Sequence, residues 1–144
     1  MGIASTTGPT LGQCQSAYSG TPWINSYFSI GTYQGYQRWT VPATCSYFIA
    51  AGGAAGGAGG GVNPYGSQAW GAMIGGLFSL TQSDVLEMVI GSQGGDGTNT
   101  GHGNERGGGG GTFVRNVTTG TLLLVAGGGG GQPSSVYGTS CTRV

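Results

Sequence analysis

The chain has 144 residues, enough for a single domain, but 35 of them are glycine, which leaves fewer side chains than usual to build a core. Only 6% of the residues are charged, the formal net charge is zero and lysine is absent, so the composition excludes a basic surface for nucleic acid or anionic lipid. No apolar stretch approaches the ~20 residues of a membrane helix, and we expect no membrane insertion.

The first third of the chain predicts a short N-terminal turn followed by strands. Residues 8–18 begin with turn residues and continue as one helical turn or a loop. Residues 23–30 and 33–41 are rich in aromatic and β-branched side chains, and they predict two strands bounded by glycine and proline. In the second of these, Trp39 and Val41 share one face, which we expect to be buried.

The later segments outside the glycine runs also predict strands, with one polar loop among them. Residues 46–51 begin the third strand, and residues 70–80 form another, in which glycines mark close backbone approach. Residues 83–90 are too short for a helix and alternate in a two-residue pattern, so a strand is favoured. Residues 96–106 predict an exposed loop. The pattern as a whole predicts an all-β single domain spanning residues 1–144.

Four glycine-rich runs interrupt the strands, at 52–61, 91–97, 107–111 and 127–131. Three are entered from a short apolar segment, and this recurrence favours an architecture over a flexible linker, the other interpretation of bare glycine. Because glycine offers only backbone groups, runs that leave water must bond backbone to backbone.

Polyproline II helices allow such lateral bonding, since their polar groups point outward and glycine lets neighbours approach closely. A collagen-like G-x-y period with proline is absent, which excludes collagen. We predict a bundle of glycine-rich polyproline II helices in which the first, third and fourth runs lie side by side. Replacement of Gly109 by valine should then be strongly destabilising.

Several motifs occur in an order that is shared with a known family. They are Gly8-Pro9-Thr10, Cys14, Ala17-Tyr18, residues 37–42, residues 47–57, Phe78-Ser79-Leu80, Asp84-Val85-Leu86, residues 89–94, the pentaglycine before Thr112-Phe113-Val114, and residues 122–131. In this order they resemble the glycine-rich extracellular domain of the anaplastic lymphoma kinase and leukocyte tyrosine kinase receptors. The resemblance covers roughly residues 8–131.

That resemblance implies a jelly-roll-like β-module, similar to tumour necrosis factor, from which a bundle of polyproline II glycine helices grows. Residues 1–7 lack the cysteine that the family places shortly before its Gly-Pro-Thr motif, so the family's disulfide pattern is not carried over. No ligand-contact residue of those receptors is matched here, and we transfer none.

Three cysteines and one glycosylation sequon are the candidate modification sites. Cys14, Cys45 and Cys141 lie too far apart for a C-x-x-C zinc or redox motif, so one disulfide with one thiol left over is the simplest oxidised state. The odd count leaves an intermolecular bridge open. Asn116 begins the sequon Asn116-Val117-Thr118 and favours an extracellular location.

No segment predicts catalysis or a cofactor. The glycine runs match G-x-G-x-x-G by chance, no amphipathic helix follows the first run, and a P-loop needs a lysine. His102 is the single histidine, too little for a triad or a zinc site, so we expect a solvated loop residue. Residues 94–99 resemble a glycine–aspartate calcium loop once, whereas a β-roll needs repeats. We therefore expect a non-enzymatic protein without cofactor or metal.

Three functions remain open. We favour an extracellular structural module that pairs with copies of itself as a fibre or filament subunit, because low charge and missing lysine leave its edges unguarded. A subunit boundary is then expected near Cys141 or Cys45. One alternative is a ligand-recognition ectodomain that binds a protein or a glycan, as the resemblance implies. The other is a glycine-helix adhesin or ice-binding surface, although the regular Thr or Ala rows that favour ice are lacking.

Overall fold

The computed structural model describes residues 7–57, 69–95 and 106–131, and these form a mostly β structure, which confirms the all-β class. In these residues two short helices precede seven strands. The helices are α1 (Leu11–Ala17) and α2 (Ile24–Tyr27). The strands are β1 (Phe28–Ile30), β2 (Gln37–Thr40), β3 (Cys45–Gly52), β4 (Met73–Leu80), β5 (Val85–Val89), β6 (Thr112–Asn116) and β7 (Thr121–Ala126).

The strands form two antiparallel sheets that share one core. The larger sheet has the order β1-β2-β5-β6-β7, and the smaller sheet pairs β3 with β4. Because successive side chains of a strand point to opposite faces, each strand directs every second residue toward the core. The buried core residues are Val41, Ala51, Leu80, Leu86, Val114, Leu124 and Ala126. Partly buried apolar side chains surround them, including Trp39, whose ring packs edge to face on Tyr47.

A capping box begins α1. The side chain of Thr10 accepts a hydrogen bond from the Gln13 N–H at 3.3 Å, and the Gln13 side chain accepts one from the Thr10 N–H at 2.9 Å. Two N–H groups that the first turn would otherwise leave without partners are thereby satisfied. Of the two possibilities left open for residues 8–18, one helical turn or a loop, the structure has a helix, of seven residues.

The strand predicted over residues 23–30 is wrong in its first half, where α2 stands instead and only Phe28–Ile30 forms β1. The rings of Tyr18, Trp23 and Phe28 pack against one another with centroids 5.4 to 6.2 Å apart. The β propensity of Trp23 and Phe28 favours a strand, but both rings pack in this cluster with Tyr18 instead.

The other predicted strands are confirmed with shifted ends. β2, β3, β4 and β5 overlap the predicted segments 33–41, 46–51, 70–80 and 83–90 respectively. Val41 is buried as expected, at 1% exposure. The predicted loop at 96–106 lies outside the described residues except for Arg106.

Candidate interaction surfaces

The glycine runs and a short neighbouring segment lie side by side, joined by backbone hydrogen bonds. We call this arrangement the glycine bundle; its described parts are 53–57, 69–72, 91–95, 107–111 and 127–131. Segment 53–57 is the hub, since each of the other four bonds to it. These bonds are Ala54 N–H to Gly110 O (3.0 Å), Gly57 N–H to Gly107 O (2.9 Å), Gly94 N–H to Ala55 O (3.0 Å), Gly129 N–H to Ala54 O (2.8 Å), Gly53 N–H to Ala72 O (2.8 Å) and Gly56 N–H to Ala69 O (2.9 Å).

The outer segments also bond to one another and so form a partial ring around the hub. The bonds are Gly110 N–H to Ser92 O (2.9 Å), Gly107 N–H to Gly95 O (3.1 Å), Gly109 N–H to Gly129 O (2.7 Å) and Ala72 N–H to Gly127 O (2.8 Å). The order around the hub is therefore 69–72, 127–131, 107–111 and 91–95. This places the first, third and fourth runs side by side, in the arrangement that the sequence predicts.

The bonds in the bundle repeat every third residue. Ala54 bonds to Gly110 and Gly57, three residues later, bonds to Gly107, three residues earlier. Segment 69–72 follows the same rule against the other side of the hub. Segments 69–72 and 107–111 therefore run in the direction opposite to the hub, and every third residue of a segment faces the same neighbour.

Only some of the bundle glycines have to be glycine. A Cβ would overlap a neighbouring backbone carbonyl oxygen at Gly53, Gly56, Gly57, Gly71, Gly91, Gly94, Gly109, Gly128, Gly129 and Gly131. At Gly95, Gly127 and Gly130 a Cβ would meet no described heavy atom within 4 Å. The first set faces another segment and the second set faces outward, which divides chemically identical residues into contact and surface positions.

A buried carboxylate lies on the outer face of the larger sheet between two guanidinium groups. Strand register places Glu87 of β5 opposite Arg38 of β2 and Arg115 of β6. Arg38 donates to Glu87 Oε2 at 2.8 Å, and Arg115 donates to Oε1 at 2.6 and 3.0 Å. Glu87 is 3% exposed, whereas the side chains of Arg38 and Arg115 are 31% and 56% exposed. The triad ties three strands together and leaves one net positive charge on this face.

The electrostatics of the triad favour an ionised Glu87. Burial by itself raises the pKa of Glu87, but the hydrogen bonds and charges of Arg115 and Arg38 outweigh burial and hold that pKa below its ordinary value. A carboxylate that remains ionised at neutral pH is suited to linking the strands through ion pairs rather than to exchanging protons. Sequence reasoning missed the triad; its one signal was the two-residue alternation around Glu87, which put this residue on the face opposite Leu86.

The smaller sheet exposes large apolar side chains on the side away from the core. We call this surface the outer β3–β4 face; it consists of Ser46, Phe48, Ala50, Gly52, Met73, Gly75, Leu77 and Ser79. Phe48 and Leu77 are register partners, 71% and 74% exposed, and Met73 is 84% exposed. The ring of Phe48 leans over Gly75, with Cζ 3.0 Å from where a Cβ on that glycine would be. None of the eight residues is charged.

A second apolar surface lies at the end of the larger sheet. We call it the outer β6–β7 patch; it consists of Phe113, Leu122 and Val125, which are 44%, 60% and 42% exposed. β7 is the end strand of its sheet and carries neither charge nor proline. Arg115, the register partner of Leu122, borders this patch with its exposed guanidinium.

The candidate disulfide residues are not brought together. Cys14 is buried in α1 at 4% exposure, and burial raises the pKa of its thiol. Cys45 is exposed at the start of β3. Both are free thiols, so no bridge joins them, and Cys141 lies outside the described residues.

The glycosylation candidate is buried. Asn116 is 3% exposed, and its side-chain Nδ2 donates to the Asp84 carboxylate at 2.9 Å. Its Oδ1 accepts from the N–H groups of Thr118 and Thr119 at 3.0 and 3.2 Å. A glycan on this nitrogen would require Asn116 to give up its buried hydrogen bond to Asp84.

The remaining candidates fall largely outside the described residues. They include His102 and most of the calcium-loop candidate at 94–99. Within the part of the chain that the structure describes, His, Cys, Asp and Glu side chains do not gather into groups of three or more that could hold a metal ion. A search of the same residues for a helix long and apolar enough to cross a membrane finds none.

Comparison with known proteins finds a partial similarity to a receptor. The chain is 33% identical over 95 residues to the leukocyte tyrosine kinase receptor of Mus musculus, which covers 66% of this chain and 10% of the receptor. No protein-family model matches the chain. The similarity supports a distant, receptor-like relationship, as the motifs predicted, and the chain spans about a tenth of that relative's length.

Proposed function

We propose that the chain is a non-enzymatic extracellular structural module that self-associates as the subunit of a fibre or filament. The observation that carries this proposal is the exposure of large apolar side chains on both sheets, on the outer β3–β4 face and the outer β6–β7 patch. Contiguous apolar patches on a soluble protein mark interaction sites.

Strand edges that no other described strand covers support the same proposal. Within residues 7–57, 69–95 and 106–131, the smaller sheet consists of two strands of eight residues each, and β7 ends the larger sheet. Such edges offer N–H and C=O groups to another chain, and soluble proteins usually guard them with charge, above all lysine. These three strands carry no charged residue, and the sequence contains no lysine.

The proposed architecture is a jelly-roll-like β-module from which polyproline II helices grow. A polyproline II helix has three residues per turn and bonds only to its neighbours, which fits the three-residue repeat of the bundle bonds. Among the described glycines of the runs, none has a positive φ, as this helix requires. A bundle of this kind is a rigid rod without a side-chain core, suited to a structural role.

Analytical ultracentrifugation of the purified chain across a wide range of micromolar concentrations tests self-association. We expect species heavier than the 14.2 kDa monomer, whose proportion rises with concentration. A parallel series with reductant separates non-covalent contacts from bridges through the exposed Cys45. A single 14.2 kDa species, unchanged by concentration or reductant, would refute the proposal.

A ligand-recognition ectodomain is the second candidate, and the partial similarity to the leukocyte tyrosine kinase receptor is its support. The same similarity supports the extracellular location. In this alternative, the exposed apolar side chains contact a different protein and the isolated chain is monomeric. The ultracentrifugation series therefore separates the two functions.

A further inference from the structure

We propose that the outer β3–β4 face is where the first contact between two copies of this chain forms, with the same face contributed by each copy. The inference rests on the proposed self-association and names its surface. In a two-layer β structure each sheet buries one face on the core, and the opposite face is normally polar. Here that opposite face carries Phe48, Met73 and Leu77 instead, each more than two-thirds exposed.

The exposed apolar area is large enough for the centre of an interface. At roughly 150–200 Å² for a fully exposed side chain of this size, these three residues present about 400 Å² per copy. A stable interface buries about 800 Å² per partner, with an apolar core inside a polar rim. Ser46 and Ser79 are register partners at one end of the face and begin such a rim.

Charge decides which of the two apolar surfaces meets its own copy. A two-fold contact pairs the same patch from both copies, so a patch with an uncompensated positive charge brings like charges to both sides of the contact. The outer β6–β7 patch is bordered by the 56% exposed Arg115 of the net positive triad, so such a contact would bring two net positive groups into one interface. The outer β3–β4 face has no charged residue, so two copies meet without repulsion.

The shape of this face also fits a second copy. Phe48 and Leu77 form a bulky pair near one end, with the Phe48 ring over Gly75, and Ala50 and Gly52 are the small positions of the face beside them. Bulky and small positions that alternate along a face allow two such faces to interdigitate. A pair formed in this way is closed by its symmetry, and the strand edges extend such pairs into a longer assembly.

The test compares two leucine-to-serine variants, one on the face and one away from both apolar surfaces. Leu77→Ser removes an exposed leucine from the outer β3–β4 face, and Leu11→Ser removes one from α1, at 40% exposure. We expect Leu77→Ser to weaken the association constant measured by sedimentation about tenfold, the usual effect of truncating a central interface residue. Leu11→Ser should leave that constant unchanged.

A milder variant keeps the test decisive if Leu77→Ser unfolds the chain. Met73→Gln preserves side-chain length at the most exposed of the three large apolar side chains and should weaken association in the same direction. Circular dichroism and thermal melting establish that each variant is folded before sedimentation.

The outcomes test the proposed contact surface and the proposed self-association separately. If the unmodified chain associates but Leu77→Ser and Met73→Gln do not weaken it, the surface is wrong while self-association stands; coverage by another part of the chain or by a different partner gives this result. Equal weakening by Leu11→Ser also overturns the surface. A monomer at all concentrations overturns both.

Discussion

Replacement of Gly109 by alanine should break the glycine bundle, whereas the same change at Gly130 should be nearly neutral. A Cβ on Gly109 overlaps the carbonyl oxygen of Ala54 and comes within 2.6 Å of both the Ala54 carbonyl carbon and the Ala55 carbonyl oxygen. Backbone in the hub cannot move aside as a flexible side chain can. At Gly130 no described heavy atom lies within 4 Å of the new Cβ.

The size of the effect follows from the bonds that must open. To make room, segment 107–111 has to separate from the hub, which stretches the bonds from Ala54 to Gly110 and from Gly57 to Gly107. Each net hydrogen bond contributes about 0.5–1.5 kcal/mol, and a buried group left without a partner costs about 1–3 kcal/mol. We therefore expect Gly109→Ala to lower the free energy of unfolding by roughly 2–4 kcal/mol, and Gly109→Val by at least as much.

Urea denaturation followed by circular dichroism and tryptophan fluorescence measures both variants against the unmodified chain. Gly130→Ala should stay within about 0.5 kcal/mol, the usual tolerance of surface positions. A loss below about 0.5 kcal/mol for Gly109→Ala, or equal losses for the two variants, would mean that the runs are loops and that the bundle contributes little to stability.

Two further predictions concern titratable groups. Because the pKa of Glu87 is lower in the folded chain than its ordinary value, its contribution to stability is present above that value and is lost as pH falls through the folded pKa. The unmodified chain should therefore lose more stability than Glu87→Gln between about pH 5 and pH 3, and parallel curves in pH-dependent melts would contradict this. Cys45, which is exposed, should react quickly with iodoacetamide, and Cys14, which is buried with a raised thiol pKa, only on unfolding. Mass spectrometry of labelled peptides measures both rates, and equally fast labelling of the two would contradict the burial of Cys14.

Several features of the fold were predictable from the sequence because they depend on short-range pattern. The alternation around Glu87 predicted a strand with that residue opposite Leu86, and β5 has this arrangement. Aromatic and β-branched residues before Pro42 predicted β2 and a buried Val41. Bare glycine predicted contact through the backbone alone, since no other group is available to it.

Other features depend on strand order and on packing between residues that are distant in the sequence. The pairing of Glu87 with two arginines from other strands required β5 to lie between β2 and β6. Asn116 matches a glycosylation sequon in sequence, but its amide is buried against Asp84, which lies in the turn between β4 and β5. Trp23 lies where a strand was predicted, and its ring joins an aromatic cluster instead.

Two glycines with similar sequence surroundings have different environments in the folded chain. Gly109 and Gly130 each lie within a run of five glycines, so their local sequences do not distinguish them. The sequence determined that both are free of side chains and able to approach other backbone. Only the tertiary structure decided that Gly109 faces Ala54 in the hub while Gly130 faces outward, because a steric clash depends on distance in space to a residue remote in the chain.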